Sequence, residues 1–404
     1  MSSLILPNND GGIHEYSLQP ATVWNKPTSP LTARRAYAAA HVIPRITADN
    51  TPGAPAQLDW DSTLAYRHEL WSYGLGVADA MDTAQRGMGL DWVATQELIR
   101  RSGAEAAAVV ASGNPATAGK TVRDLIACGA GTDQLDIAAL ATGAAGLEAV
   151  INAYREQIAT VTEAGGKVIL MASRALAKVA SGAEDYLYVY STLLQEVEQP
   201  VILHWLGTMF DPALAGYWGS DDVSVATETF LSLIRDHSQK VDGVKVSLLD
   251  ADHEVALRAK LPENVRLYTG DDFNYPELID GDKNHHSDAL LGIFAAIYPA
   301  ASVALQKYDA GEGTQARTIL DSTRELGKHI FSAPTFYYKT GIAFMSWLNG
   351  KQAGFQMVGG LQSGRSVLHL VKTFELADQA GLLADPDLAA QRMSSFLLVN
   401  GAGA

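Results

Sequence analysis

The chain has 404 residues, 47% of them hydrophobic and 19% charged, with a formal net charge of -15. That is enough apolar mass for one large domain or a few smaller ones, while the acidic excess, offset by no basic cluster, excludes nucleic acid as a partner. The single cysteine, Cys128, rules out an internal disulfide and a cysteine-built zinc site; with no basic leader and no run approaching about 18 apolar residues, the expectation is a cytoplasmic protein with no membrane partner.

Residues 1–30, rich in Pro, Asn and Ser, read as an N-terminal arm, and residues 44–60 as a loop. Around and beyond that loop, short apolar runs alternate with helical patterns. The expected strands are 35–43, 77–81, 135–140, 167–172, 200–204, 243–248, 265–269 and 289–294, each short and apolar as a strand covered by helices should be. Between them, 61–74, 91–103, 145–164, 184–198, 222–238 and 251–260 carry apolar residues at helical spacing. The alternation predicts an α/β protein, a (β/α)8 TIM barrel over 31–300. Its last strand is ambiguous, because ALLGIFAAI also reads as a helix. After it helix follows helix, over 300–310, 314–329, 336–349, 363–380 and 386–398, a C-terminal helical extension spanning 301–404. An open doubly wound sheet is the competing arrangement, and no glycine-rich phosphate loop follows the first strand to support it.

In such barrels chemistry sits at the C-terminal tips of the strands. Lys245, in GVKVSL, shares a strand face with Gly243 and Ser247. A lysine directed into a barrel loses solvation, which lowers its pKa and frees an amine for Schiff-base chemistry with a carbonyl compound; the plainer reading is a lysine ion-paired inside the barrel or snorkelling at a strand edge. His204 closes the preceding strand, PVILH, as a proton shuttle near neutral pH or as a hydrogen-bonded packing residue. After the second strand, AMDTAQRGMG gathers Asp82, Thr83, Gln85 and Arg86 in a loop suited to lining a substrate pocket, with helix capping by Asp82 or Thr83 as the structural alternative. Asp271 and Asp272 follow the seventh strand and His285, His286 and Asp288 precede the eighth. These invite a metal site, but adjacent residues on an extended strand point to opposite faces. Arg174 and Lys178 read as solvated charges at a helix start, Cys128 as packing below the third strand, and the aromatic run 332–341 as helix packing or a subunit contact.

The succession PVILHWLG, VDGVKVSLLD, VRLYTGDDF and a small-residue segment leading to Pro299 resembles the dihydrodipicolinate synthase and N-acetylneuraminate lyase superfamily. The resemblance covers about 160–310 closely and 61–160 loosely. It implies a (β/α)8 barrel with a helical C-terminal domain, often tetrameric, running class I aldolase chemistry, and it places Lys245 at the family's Schiff-base lysine. Two departures stand out. Where the family has a tyrosine followed by Asn and Pro, this chain has His204-Trp205-Leu206-Gly207, which moves proton transfer toward imidazole. Where the family has Gly-Thr-Thr-Gly-Glu, this chain has Met81-Asp-Thr-Ala-Gln85, and only Thr83 matches. Without those glycines the backbone approaches an anion less closely, so the loop fits a neutral keto sugar or a hydroxylated oxo acid better than pyruvate.

The leading expectation is therefore a Schiff-base lyase or aldolase that needs no cofactor. Lys245 forms an imine with a small-molecule carbonyl substrate, His204 moves protons, and Asp82, Thr83, Gln85, Arg86, Ser247 and Asp272 bind substrate. Self-association as a dimer or tetramer is expected. A metal-dependent sugar isomerase, epimerase or aldolase using His204, Asp272, His286 and Asp288 is the second reading, and a non-catalytic ligand-binding barrel the third.

Overall fold

A computed structural model describes residues 3–8, 10–282 and 285–403. It opens with an antiparallel hairpin, β1 (Ser3–Pro7) and β2 (Ile13–Ser17). Eight parallel strands then close into a barrel: β3 (Ala36–Ala39), β4 (Gly76–Asp79), β5 (Ile126–Ala130), β6 (Lys167–Leu170), β7 (Val201–Leu206), β8 (Val241–Ser247), β9 (Arg266–Thr269) and β10 (Asp288–Leu291), with β10 returning to β3. Helices separate consecutive strands, so every strand is buried on both faces, which is why each reads as an apolar run.

The helices show the complementary logic. Val223–Asp236 begins where the Asp222 side chain accepts the Ser224 amide, and buries Ala226, Phe230, Leu231, Leu233 and Ile234 on one stripe. Truncating Phe230 to alanine inside that stripe costs about 3–5 kcal/mol. Inside the barrel, Tyr37 and Tyr268 meet edge to face at 6.1 Å and close the N-terminal end. Glycine makes room for both rings. A Cβ on Gly76 would lie 2.5 Å from Tyr37, and one on Gly243 2.5 Å from Tyr268. Ala39, Ala78, Ala127, Ile169, Ile202 and Leu290 fill the middle.

Seven of the eight expected strands coincide with barrel strands, β10 included. The third is a correction. Residues 135–140 form a loop with a short 3-10 turn at Ile137–Ala139, and the strand is IACGA, Ile126–Ala130. Small residues of low β propensity serve there because neighbours press close: a Cβ on Gly129 would sit 2.4 Å from the Met171 sulfur and 2.6 Å from the Ala80 carbonyl oxygen. Cys128 thus lies within this strand, packed among the helices, and burial pushes its thiol pKa well up.

The N-terminal arm is also more ordered than expected. The hairpin docks on the C-terminal helices, where Tyr16 donates to Asp378 at 2.9 Å and His14 meets Glu375 at 3.1 Å. Those helices, Gly313–Ser322, Arg324–Ile330, Tyr338–Leu348, Val367–Gln379 and Pro386–Val399, follow the barrel's last helix, Phe294–Asp309. No helix among the described residues is long and apolar enough to cross a membrane.

Candidate active site

Among the described residues, the four non-glycine residues with left-handed backbone, Ala80, Gln85, Trp218 and Leu249, lie in loops that leave the C-terminal ends of barrel strands. Strain of this kind persists where the surroundings over-determine it, and it marks this end of the barrel.

Lys245 occupies the penultimate inward position of β8, in register with His204 on β7 and Tyr268 on β9. It is 8% exposed. No hydrogen bond or ion pair joins its amine to another described residue, and burial lowers its pKa, with the charges of Asp82 and Asp272 restoring part of it. The close approach is made possible by Gly270, at the tip of β9: a Cβ there would lie 2.9 Å from the Lys245 Cε and 2.1 Å from the Ser247 Oγ.

His204 Nε2 lies 3.3 Å from Ser247 Oγ, and its Nδ1 is buried without a partner. Burial and the neighbouring Lys245 charge hold its pKa well below the ordinary histidine value, so the imidazole is neutral. Asp271 and Asp272 lie past the end of β9, in a turn rather than on an extended strand, and have different partners. Asp271 is consumed by its own loop, accepting from the Phe273 and Asn274 amides at 2.9 and 3.0 Å. Asp272 accepts the Ile293 amide at 2.7 Å, and burial, opposed by that bond and by Lys245, raises its pKa to about 7.

The loop after β4 supplies two kinds of residue. Asp82 lines a cleft of about 1270 Å³ that opens across the tips of β4 to β7, with His204 and Met171 also in its wall; its carboxylate has no hydrogen bond or ion pair to another described residue. Thr83 is buried and shares a 2.8 Å hydrogen bond with the Tyr338 hydroxyl. Gln85 is not part of the cleft wall. Its amide donates to the Val42 carbonyl and accepts the Val358 amide, both at 3.0 Å. Arg86 is in the wall, but each of its N–H groups is taken, by Asp133, by the Ala80 and Gly129 carbonyls at 2.9 Å and by Gln157 at 2.7 Å. Both residues hold the loop in place. Arg174 likewise lines the cleft with its guanidinium paired to Asp211.

The ligand set of the metal reading is dispersed. Asp288 begins β10 at the N-terminal end of the barrel, bound to Arg266 at 2.8 Å with His286 beside it at 4.0 Å, whereas His204 and Asp272 stand at the C-terminal end. Among the described residues no three His, Cys, Asp or Glu side chains gather as a metal site.

The helical tail adds residues that the sequence reading left to packing. Tyr338 stacks on Phe331 at 4.2 Å, and Lys339 is buried with its ammonium 4.0 Å from the Phe336 ring centre. Burial lowers the Lys339 pKa to about 8, against the pull of Asp82. The aromatic run therefore packs within the chain, against the loop that carries Asp82 and Thr83. Its signal was a lysine embedded among aromatic residues.

Closed eight-stranded barrel and helical tail together define a (β/α)8 protein, similar in fold to solved structures of the dihydrodipicolinate synthase family. A prophage protein of the dihydrodipicolinic acid synthase family from E. coli K12, solved in complex with pyruvate, superposes with a TM-score of 0.61 at 13% identity, covering 86% of this chain and 99% of that one. Dihydrodipicolinate synthase from Aquifex aeolicus gives 0.60 at 14%, covering 87% and 99%, and that from Thermotoga maritima 0.58 at 14%, covering 87% and 100%. At such identities the likeness is one of fold. By sequence the chain belongs to the family described as Protein of unknown function (DUF993), which matches residues 4–402. No curated protein matches it.

Proposed function

We propose that the protein is a Schiff-base lyase of the class I aldolase type acting on a keto sugar or hydroxylated oxo acid. The observation that carries this reading is the Lys245 amine: desolvated and without a counter-ion in contact among the described residues, it is not itself in the cleft wall, but its register partner His204 and the nearby charge Asp82 are. A buried lysine without a partner among the described residues is costly in a folded protein, and the burial that lowers its pKa favours the free amine, the form that attacks a carbonyl.

The amine adds to the substrate carbonyl, and loss of water gives an iminium ion. A base then removes the proton from the hydroxyl on the carbon β to the iminium. The carbon–carbon bond breaks, the hydroxyl carbon leaves as an aldehyde, and the bonding pair flows to the iminium nitrogen, giving an enamine. Reprotonation at carbon and hydrolysis release the second product and restore the amine. The proton carrier in this proposal is Asp272 rather than His204. A group with a pKa of about 7 exchanges protons in both directions at neutral pH, while the neutral His204 and the Ser247 hydroxyl offer hydrogen bonds to the substrate. Asp82, at the cleft wall, accepts from substrate hydroxyls. Thr83, Gln85 and Arg86 shape the loop.

Reduction with borohydride in the presence of keto sugars and oxo acids, followed by peptide mass analysis, tests the reading. One substrate-sized adduct on the peptide bearing Lys245 is expected; modification elsewhere, or none with any compound, refutes it.

A further inference from the structure

The cleft extends well beyond the reacting groups. Its wall runs from His204, Met171 and Asp82 outward to Trp60, Trp92 and the segment 53–58, and its volume of about 1270 Å³ exceeds the roughly 300–1,000 Å³ of an ordinary ligand pocket. A compound with a single ring leaves the outer part empty.

The chemistry of that outer part is specific. Trp60 and Trp92 are half-buried and line the cleft. The Trp92 indole is held by a 2.7 Å hydrogen bond from its N–H to Glu156, and a guanidinium lies over one face of each ring, Arg101 4.6 Å from the Trp60 centre and Arg86 5.8 Å from the Trp92 centre. Fixed, partly exposed aromatic plates present an electron-rich face. Away from Asp82, charge is mostly paired along the wall. Arg86 is bound to Asp133 and Arg174 to Asp211, Glu97 is bound to Arg100 and Arg101, and Asp91 caps a helix. Among the described residues of the wall, Arg45 is the one arginine without a carboxylate, exposed and bonded to Gln57. Phosphate and carboxylate ligands therefore meet no unpaired buried arginine or lysine here. A hydroxyl-rich, uncharged ring with a C–H face meets both an aromatic plate and abundant hydrogen-bonding groups.

We infer that the outer cleft is a second sugar subsite, built on Trp60 and Trp92, so that the ligand is a neutral disaccharide or glycoside. Its first ring lies at His204 and Asp82. The inference rests on the proposed lyase reading only for which ring reacts; the binding itself does not depend on Lys245.

The test is calorimetric titration of the full chain with α- and β-linked glucose and galactose disaccharides and with the matching methyl monosaccharides, using pyruvate and inorganic phosphate as controls. At least one disaccharide is expected to bind about tenfold more tightly than its monosaccharide. The gap persists in Lys245→Met, closes in Trp92→Ala and largely survives in Trp92→Phe; Trp60→Ala narrows it independently should Trp92→Ala fail to fold. The subsite is overturned if no disaccharide outbinds its monosaccharide, if neither tryptophan variant changes the gap, or if phosphate or pyruvate binds more tightly than every sugar. An intact gap without any borohydride adduct removes the lyase reading and leaves the subsite standing.

Discussion

Lys167 and Lys245 both project into the barrel, one at each end, and their surroundings differ. At the N-terminal end the Lys167 ammonium donates to Asp242 at 2.9 Å, Tyr268 donates to the same carboxylate at 2.8 Å, and Arg35 stands 3.5 Å away. Arg266 and Asp288 form a further pair beside them. At the C-terminal end Lys245 has no ion partner in contact, Asp272 is pushed toward its neutral form, and the imidazole of His204 is neutral. One end has its charges matched within the fold, as stability requires. The other has ionisable groups desolvated and without charged partners in contact among the described residues, with His204 in the cleft wall, which is the arrangement found where proton transfer and nucleophilic attack take place.

The largest effect that sharpens this contrast belongs to Lys245→Met. Once a substrate is in hand, turnover should fall by about 10⁴-fold or more, while urea denaturation shows a stability equal to the parent's or about 1 kcal/mol higher, since an unpaired buried amine is gone. Loss of folding in step with loss of turnover would give Lys245 the structural role that Lys167 has. Asp272→Asn comes next, with turnover down by about 10²–10⁴-fold. In the parent, turnover should climb through pH 7 as the Asp272 carboxyl, with its pKa of about 7, becomes a base; the variant should lack that limb. Stability runs the other way. The unfolded carboxyl titrates near 3.8 and the folded one near 7, so between those values the unfolded chain releases a proton the folded chain keeps, and stability declines as pH rises. Thermal melts should show Asp272→Asn gaining on the parent across that window.

The paired end is tested by Lys167→Met. Removing one member of a buried pair is strongly destabilising, but Asp242 keeps Arg35 and Tyr268 and is partly exposed, so a loss of about 2 kcal/mol in urea denaturation is expected, with imine trapping at Lys245 preserved.

How much of this was legible in the chain follows from how local each signal is. Lys245 was visible because a lone lysine interrupts an apolar, alternating run, and Asp272 because carboxylates follow a strand. Strand β5 was missed because its sequence, IACGA, is set by how closely Met171 and Ala80 approach Gly129, a contact between segments far apart in the chain. Gly270 was passed over for the same reason: its role is the space it leaves for Lys245 and Ser247. Gln85 and Arg86 have the polarity of binding residues, and nothing local reveals that Val358, Asp133 and Gln157 saturate them. Lys339 and Tyr338 reach the site from the helical tail, through a packing of tail on barrel that no spacing rule encodes.

That packing offers the smallest and most local test. The Thr83 and Tyr338 hydroxyls share a single 2.8 Å bond and are both buried, joining the loop after β4 to the helix Tyr338–Leu348. Thr83→Val leaves the tyrosine hydroxyl unpaired and should cost about 1–2 kcal/mol. Tyr338→Phe leaves the buried threonine hydroxyl unpaired and should cost a similar amount. The double variant removes both polar groups together and should be more stable than the sum of the singles predicts, with a coupling of about 1 kcal/mol in a double-mutant cycle by urea denaturation. Additive costs would mean that the hydrogen bond contributes nothing and that apolar packing, such as Phe331 and Tyr338 against Phe210 of the loop after β7, holds the tail over the barrel there. In that case the C-terminal mouth would be built by apolar packing, and its contrast with the charge-matched N-terminal end would rest on Lys245, Asp272 and His204 without help from the loop.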